Sequence, residues 1–198
     1  MEAQKLNTEI RQDQLAQAAL SLIAAYGLKG LSVARVARRI GLVPSAVYRH
    51  FSSKDKLLSS VLDLIGKRLL SNVAVASTGG DTLEALRVLL MGHVRMIREN
   101  RGILQVVFSE DVHNGHPERK ARVHALVKCY LGKLAEMVAR GQANGEIRPD
   151  VDPATVSLML LGLVQPAAIL WHLSDGGFDV TKQVERAWQL FSERLRPV

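Results

Sequence analysis

Apolar residues recur three and four positions apart along almost the whole of this 198-residue chain, and nowhere do they alternate with polar ones. A period near 3.6 builds amphipathic helices, whereas strands with one buried face need a period of two. The expected architecture is therefore all-α, with about nine helices. A first helix carries Ile10, Leu15, Ala18, Ala19, Leu22, Ile23 and Tyr26 and ends at Gly27. Ser32 to about Ile40 forms a short second helix stopped by Gly41, and a third starts after Pro44. Ser53 opens a long fourth helix with Leu57, Leu58, Val61, Leu62, Ile65 and Leu69, which fades into a loop at Ser77-Thr78-Gly79-Gly80. Asp81 with Glu84 is a capping-box start for a helix that reaches Asn100. A short helix spans about Arg101 to Ser109, and Asp111 to Pro117 reads as loop with a turn at Asn114-Gly115. Glu118 to Ala143 is a long helix with Val123, Leu126, Val127, Tyr130, Leu131, Leu134 and Val138 on one stripe, closed by Asn144-Gly145. Asp152-Pro153 starts the next with an N-cap and a first-turn proline. The last helix has Val184, Trp188, Phe191 and Leu195 as its stripe.

Between Val156 and Trp171 nearly every residue is apolar, so this helix is hydrophobic all round and calls for cover on every side. It lies either at the centre of its own domain or partly beneath a second copy of the chain. With the Trp188/Phe191 stripe following it, the expectation is a homodimer whose interface uses Leu161, Trp171, Val184, Trp188, Phe191 and Leu195. The longest apolar run, Leu158 to Trp171, is short for a membrane span and contains Gln165 and Pro166. The polar start MEAQKLNTEIRQDQ is no secretory signal, and the single Cys129 allows neither an internal disulfide nor a thiolate metal cluster. A cytoplasmic protein without a membrane partner is expected.

The net charge of +7 is unevenly spread. Residues 1–58 hold nine Lys/Arg against four Asp/Glu, which places most of the excess in less than a third of the chain. A basic segment of this kind suits a polyanion, or it is simply a solvated face. Within it, Leu31 to Phe51 has the outline of a helix-turn-helix: two short helices joined by a tight turn at Gly41. Val33, Val36, Ala37 and Ile40 give the first of these an apolar face, and Val47 and Phe51 face inward from the second. Ser45, Ala46, Tyr48, Arg49 and His50 are left outward or at the edge, a set suited to base edges and phosphates in a major groove.

The pattern Ser32…Val36-Ala37…Gly41…Tyr48-Arg49-His50-Phe51-Ser52-Ser53-Lys54-Asp55-Lys56-Leu57-Leu58 resembles the signature of the TetR family of transcription regulators, most specifically over Tyr48 to Leu58. The resemblance is strong over roughly residues 8–60 and beyond that rests on helix order and length. It implies a three-helix DNA-binding domain over residues 1–53 and an effector-binding and dimerisation domain over 54–198, joined by the long helix. It implies that Ser32 caps the second helix and touches a phosphate, that Pro44, Ser45, Ala46 and Arg49 lie nearest the bases, and that Tyr48, His50 and Lys54 hold phosphates. Packing against the first helix is the alternative for Tyr48 and His50. Two departures stand out: Val43 replaces the usual hydroxyl cap of the recognition helix, and Arg35 stands where an acidic residue completes a capping box. A cation at Arg35 opposes the helix dipole unless DNA phosphate is near, and with the missing cap at Val43 it implies a recognition helix that settles through phosphate contacts, so a strongly salt-sensitive DNA complex is expected.

The resemblance further implies a homodimeric repressor of a palindromic double-stranded operator, released by a small-molecule effector through the long fourth helix. Its pocket would be lined by His93, Met96, Leu104, Phe108, Val127 and Tyr130, facing Leu160 and Val164, each of which core packing explains as well. Glu110, Asp111, His113 and His116 have metal-ligand chemistry but lie in an expected loop where polar residues are ordinary. No metal site and no cofactor is expected. Without a phosphate loop, nucleophile elbow or metal motif, catalysis is not expected either. The alternative function is a DNA-binding or interaction protein outside transcription on the same scaffold.

Overall fold

The computed structural model describes residues 2–76, 80–113 and 116–197, and every regular element among them is helical. The helices are α1 (Glu2–Tyr26), α2 (Val33–Arg39), α3 (Pro44–Tyr48), α4 (Lys54–Ala76), α5 (Thr82–Glu99), α6 (Gly102–Val107), α7 (Glu110–His113), α8 (Pro117–Ala143), α9 (Pro153–Leu173) and α10 (Val180–Ser192). A single 3-10 turn, Leu28–Gly30, joins α1 to α2. Glu110–His113, expected as loop, is one helical turn. The loop expected at Ser77-Thr78-Gly79 and the turn at Asn114-Gly115 lie outside the described residues.

Contacts divide the chain into two compact units. The first runs to Lys67 and includes Asn100–His124; the second holds Arg68–Glu99 and continues from Ala125. Both α4 and α8 pass from one unit into the other without a break. By contact, therefore, the first part of α4 goes with the helices that precede it.

In the first unit Leu15, Ala19, Ile23, Val36, Ala37, Val47, Leu57 and Val61 are fully buried, which draws α1 to α4 around one small core. Gly102 opens α6 against α1: a Cβ there would stand 2.5 Å from the carbonyl oxygen of Leu20. In the second unit Leu86, Leu89, Leu134, Val138, Leu160, Val164, Ala168 and Val184 form the core from α5, α8, α9 and α10. Arg87 ties α5 to α10 through Glu185 at 3.0 Å and also holds Glu84 at 2.9 Å. Glu84 therefore does not complete the expected capping box. The start of α5 is served instead by Asp81, accepting from Leu83, and by Glu146, accepting from Thr82. At the other α starts and stops the sequence signals hold: Asp152 accepts from the Thr155 amide at 2.7 Å with Pro153 behind it, and Gly145 leaves α8 at φ 73°.

The apolar helix α9 is covered on one side only. Val156, Leu160, Val164, Ala167, Ala168 and Trp171 are buried, whereas Leu158, Met159, Ile169, Leu170 and Leu173 are exposed. The expected cover on all sides is absent within one chain. At 21 residues the helix is also longer than the apolar run inside it, and long and apolar enough by composition to cross a membrane. Its buried face belongs to the core of the second unit.

Because the nearest neighbour of a Cβ at Gly102 is backbone rather than a movable side chain, Gly102→Ala should force α6 off α1. The expected loss is about 1–3 kcal/mol, read as a lowered midpoint in thermal or urea unfolding.

Candidate nucleic-acid interface

The turn between α2 and α3 is set by Gly41, whose φ of 68° is open to glycine and strained for other residues. Its amide donates to the Arg38 carbonyl and the Leu42 amide to the Ala37 carbonyl at 2.9 Å, the paired bonds of a Schellman stop. At the start of α2 the Ser32 hydroxyl accepts from the Arg35 amide at 3.3 Å, so the capping role expected of Ser32 is present. Val43 gives α3 no side-chain cap, and Pro44 fills its first position.

The recognition helix is five residues long. Pro44, Ser45, Tyr48 and Arg49 are exposed, and His50 is half-buried. Ala46 is buried beside Val47, so it is a packing residue of the helix pair and not an outward one. Arg35 is exposed and makes two contacts within the first unit. Its guanidinium donates to the Gly30 carbonyl at 3.1 Å and lies 5.3 Å from the centre of the Tyr26 ring. A carbonyl at the end of the 3-10 turn and an aromatic face supply the negative partners, so this cation is tolerated without phosphate. Lys54 reaches back to the Leu28 carbonyl at 3.4 Å, a long bond that leaves the ammonium free to exchange it for an anion. Lys29 and Lys56 are further exposed cations in the same unit, and only Lys56 is near Lys54 in the sequence.

The residues expected to line an effector pocket divide between the units. Leu104 and Phe108 belong to the first, where Leu104 is buried and Phe108 exposed. His93, Met96, Tyr130, Leu160 and Val164 are buried in the second, and Val127 is half-buried. His93 and Tyr130 share a hydrogen bond of 3.4 Å, their rings edge to face at 5.5 Å. Burial pushes the His93 imidazole down to about 4 and the Tyr130 phenol well up, so both are neutral at physiological pH. Among the described residues no group of three His, Cys, Asp or Glu side chains could hold a metal ion. The side chains of Asp111 and His113 lie outside the description.

Residues 15–61 match the family model for bacterial regulatory proteins of the tetR family. Residues 79–195 match the model for the tetracyclin repressor-like C-terminal domain. The chain belongs to the TetR family. It is thus a DNA-binding transcription regulator, with the helix-turn-helix of α2 and α3 as its reading head. It is 23% identical over 189 residues to the nucleoid occlusion factor SlmA of Vibrio vulnificus, covering 94% of this chain and 96% of that one. The fatty acid metabolism regulator protein of Bacillus subtilis is 22% identical over 171 residues, covering 84% and 86%. The crystal structure of the transcriptional regulator FadR from Bacillus subtilis in complex with stearoyl-CoA has the same fold, with a TM-score of 0.77 at 18% identity over 92% of this chain and 98% of that one.

Two outcomes follow for this TetR-family chain. Arg49→Ala should relax sequence preference by about 1–3 kcal/mol at one base position, whereas Lys54→Ala should weaken binding to every sequence and flatten its salt dependence. Titrations against a selected and a random duplex across a salt series separate the two. For His93, the unfolded chain takes up a proton near the ordinary 6.5 and the fold only near 4. Stability should therefore be flat above pH 6.5 and fall as pH drops toward 4. His93→Phe should flatten that window in urea unfolding; an unchanged slope would contradict the assignment.

Proposed function

We propose that the protein is a homodimeric, cytoplasmic repressor that binds a palindromic operator and leaves it when a small-molecule effector occupies its second unit. The observation that carries the reading is the shortness of the exposed recognition surface. Three exposed side chains on a five-residue helix, with Arg49 at its C-cap, reach only a few base pairs, so a discrete genomic site requires two heads at a fixed separation.

A surface for the second copy is available. Leu158, Met159, Ile169, Leu170 and Leu173 of α9 are exposed along one side, and Leu190 of α10 is 72% exposed. A contiguous apolar face of this kind on a regulator fits a two-fold interface. The earlier candidates Leu161, Trp171, Val184, Trp188 and Leu195 are already buried within the chain, and Phe191 is half-buried, so they support the face from behind.

The second unit also constrains the effector. Among the described residues of this unit no Asp, Glu, Lys or Arg side chain is buried, and the buried polar residues His93, Tyr130 and Ser157 are uncharged. An ionised ligand group would find no buried counter-charge there, so the portion that enters is apolar and neutral. That chemistry fits an acyl chain, the class of ligand in the stearoyl-CoA complex of the structural relative. Ligand binding would shift the population of a state through α4 and α8, the two helices continuous between the units.

The likeness to a nucleoid occlusion factor favours a second reading, in which DNA binding serves a purpose outside transcription. A genome-wide footprint separates the two. Discrete palindromic sites overlapping promoters support the repressor; sites scattered without regard to promoters support the second reading. Leu170→Glu should raise the dimer dissociation constant about a hundredfold or more, since each of two copies loses roughly 1.5–3 kcal/mol of burial. Sedimentation at micromolar concentration would then show monomer, and wild-type behaviour would exclude this face.

A further inference from the structure

The first turn of α4 carries opposite charges side by side. The Ser53 hydroxyl accepts from the Lys56 amide at 3.2 Å, which caps the helix and puts Lys54, Asp55 and Lys56 in its opening turn. A carboxylate at that place is favourable in the free protein, because the unpaired N–H groups and the helix dipole attract negative charge. It becomes unfavourable once a phosphate approaches Lys54, since two anions then compete for one field. Asp55 remains 67% exposed, so burial does not take it out of that encounter.

What Asp55 meets is Arg119, in the first turn of α8, with Nη2 2.5 Å from Oδ1. The Arg119 side chain is only 5% exposed, and it is the one buried side chain with a permanent charge among the described residues. A guanidinium in such a place is costly unless a carboxylate answers it. One turn further along α8, Arg122 meets Asp63 of α4 at 2.7 Å. That second pair is half exposed and contributes little by itself, but it shows the same stretch of α8 laid along α4. Two features separate Arg119 from an ordinary surface pair: its burial, and the position of its partner next to the lysine that takes a phosphate in the reading above.

We propose that Arg119 acts in DNA binding through Asp55: by pairing with it, Arg119 cancels the negative charge beside Lys54. The proposal rests on the placing of Lys54 at a phosphate. Arg119 acts through Asp55 and, being buried, does not itself touch the duplex.

The test uses the full-length chain, a duplex that the wild-type protein selects from a random library, and an unrelated duplex of equal length. Arg119→Met should bind both about tenfold more weakly at about 50 mM salt, with the deficit shrinking as salt rises and the freed carboxylate is screened. Asp55→Asn alone should stay within about twofold of wild type, and the same change added to Arg119→Met should restore binding to that level. Circular dichroism melts give the folded fraction of each variant. Should Arg119→Met fail to fold alone, the comparison of Asp55→Asn with the double variant decides: equal affinities support the proposal, and a further loss overturns it. Wild-type affinity in folded Arg119→Met, a loss that ignores residue 55, or a tenfold loss in Asp55→Asn alone each overturn it as well. Lys54→Ala run in parallel keeps the two claims apart. If it binds like wild type, the phosphate placement is wrong; if it weakens binding while Arg119→Met does not, only the role of Arg119 is lost.

Discussion

The left-handed turn at Gly41 is the constraint on which the reading head depends. It stops α2 by the paired bonds from Gly41 and Leu42 and sends the chain at once into α3. Val47 and Ala46 can then pack beside Val36 and Ala37, all of them buried. That packing uses two of the five residues of α3 and leaves only its remaining side chains for DNA. A residue with a Cβ at position 41 would strain the turn and displace α3 relative to α2. The economy of the recognition surface follows from this one backbone conformation.

Local signals were legible in the sequence because they depend on nearest neighbours. The Ser32 cap, the Gly41 stop, the Asp152-Pro153 start and the Asn144-Gly145 stop all appear where the residue types put them. Signals that need a third dimension were read less well. Glu84 has capping-box spacing from Asp81, but Arg87 stands one turn away and takes its carboxylate, while Glu146 from beyond α8 serves the helix start. Arg35 looks like an unanswered cation in one dimension. In three, the Gly30 carbonyl and the Tyr26 ring answer it. With that cation answered in the free protein, an unusually salt-sensitive complex is left to follow from the missing cap at Val43.

The same limit applies to the residues expected at a dimer interface. Apolarity marks a side chain for burial but does not say which surface will bury it. In α9 both kinds are interleaved: Leu160, Leu161 and Val164 are taken by their own chain, while Leu158, Met159, Ile169 and Leu170 are not. The large aromatic residues Trp171 and Trp188 draw attention in a sequence for their size, and for that reason they fill the interior of the domain. The aliphatic residues left over, with Met159, lie on the exposed face.

Charge obeys a different rule from apolarity, because each ionised group must be answered locally whatever the fold does elsewhere. In the first unit Asp13 meets Lys67, Asp55 meets Arg119 and Asp63 meets Arg122, so each of these carboxylates already has a cation before DNA arrives. The exposed Lys29, Arg38, Arg39, Arg49 and Lys56 outnumber the carboxylates near them in sequence. The positive field available to DNA is then the field of these side chains, undiminished by acidic neighbours whose charge is answered from α8 or from α4 itself. Two of the three answers come from the start of α8, more than fifty residues downstream of their partners. The electrostatics of the reading head are thus set partly by a helix that the sequence assigns to the other domain.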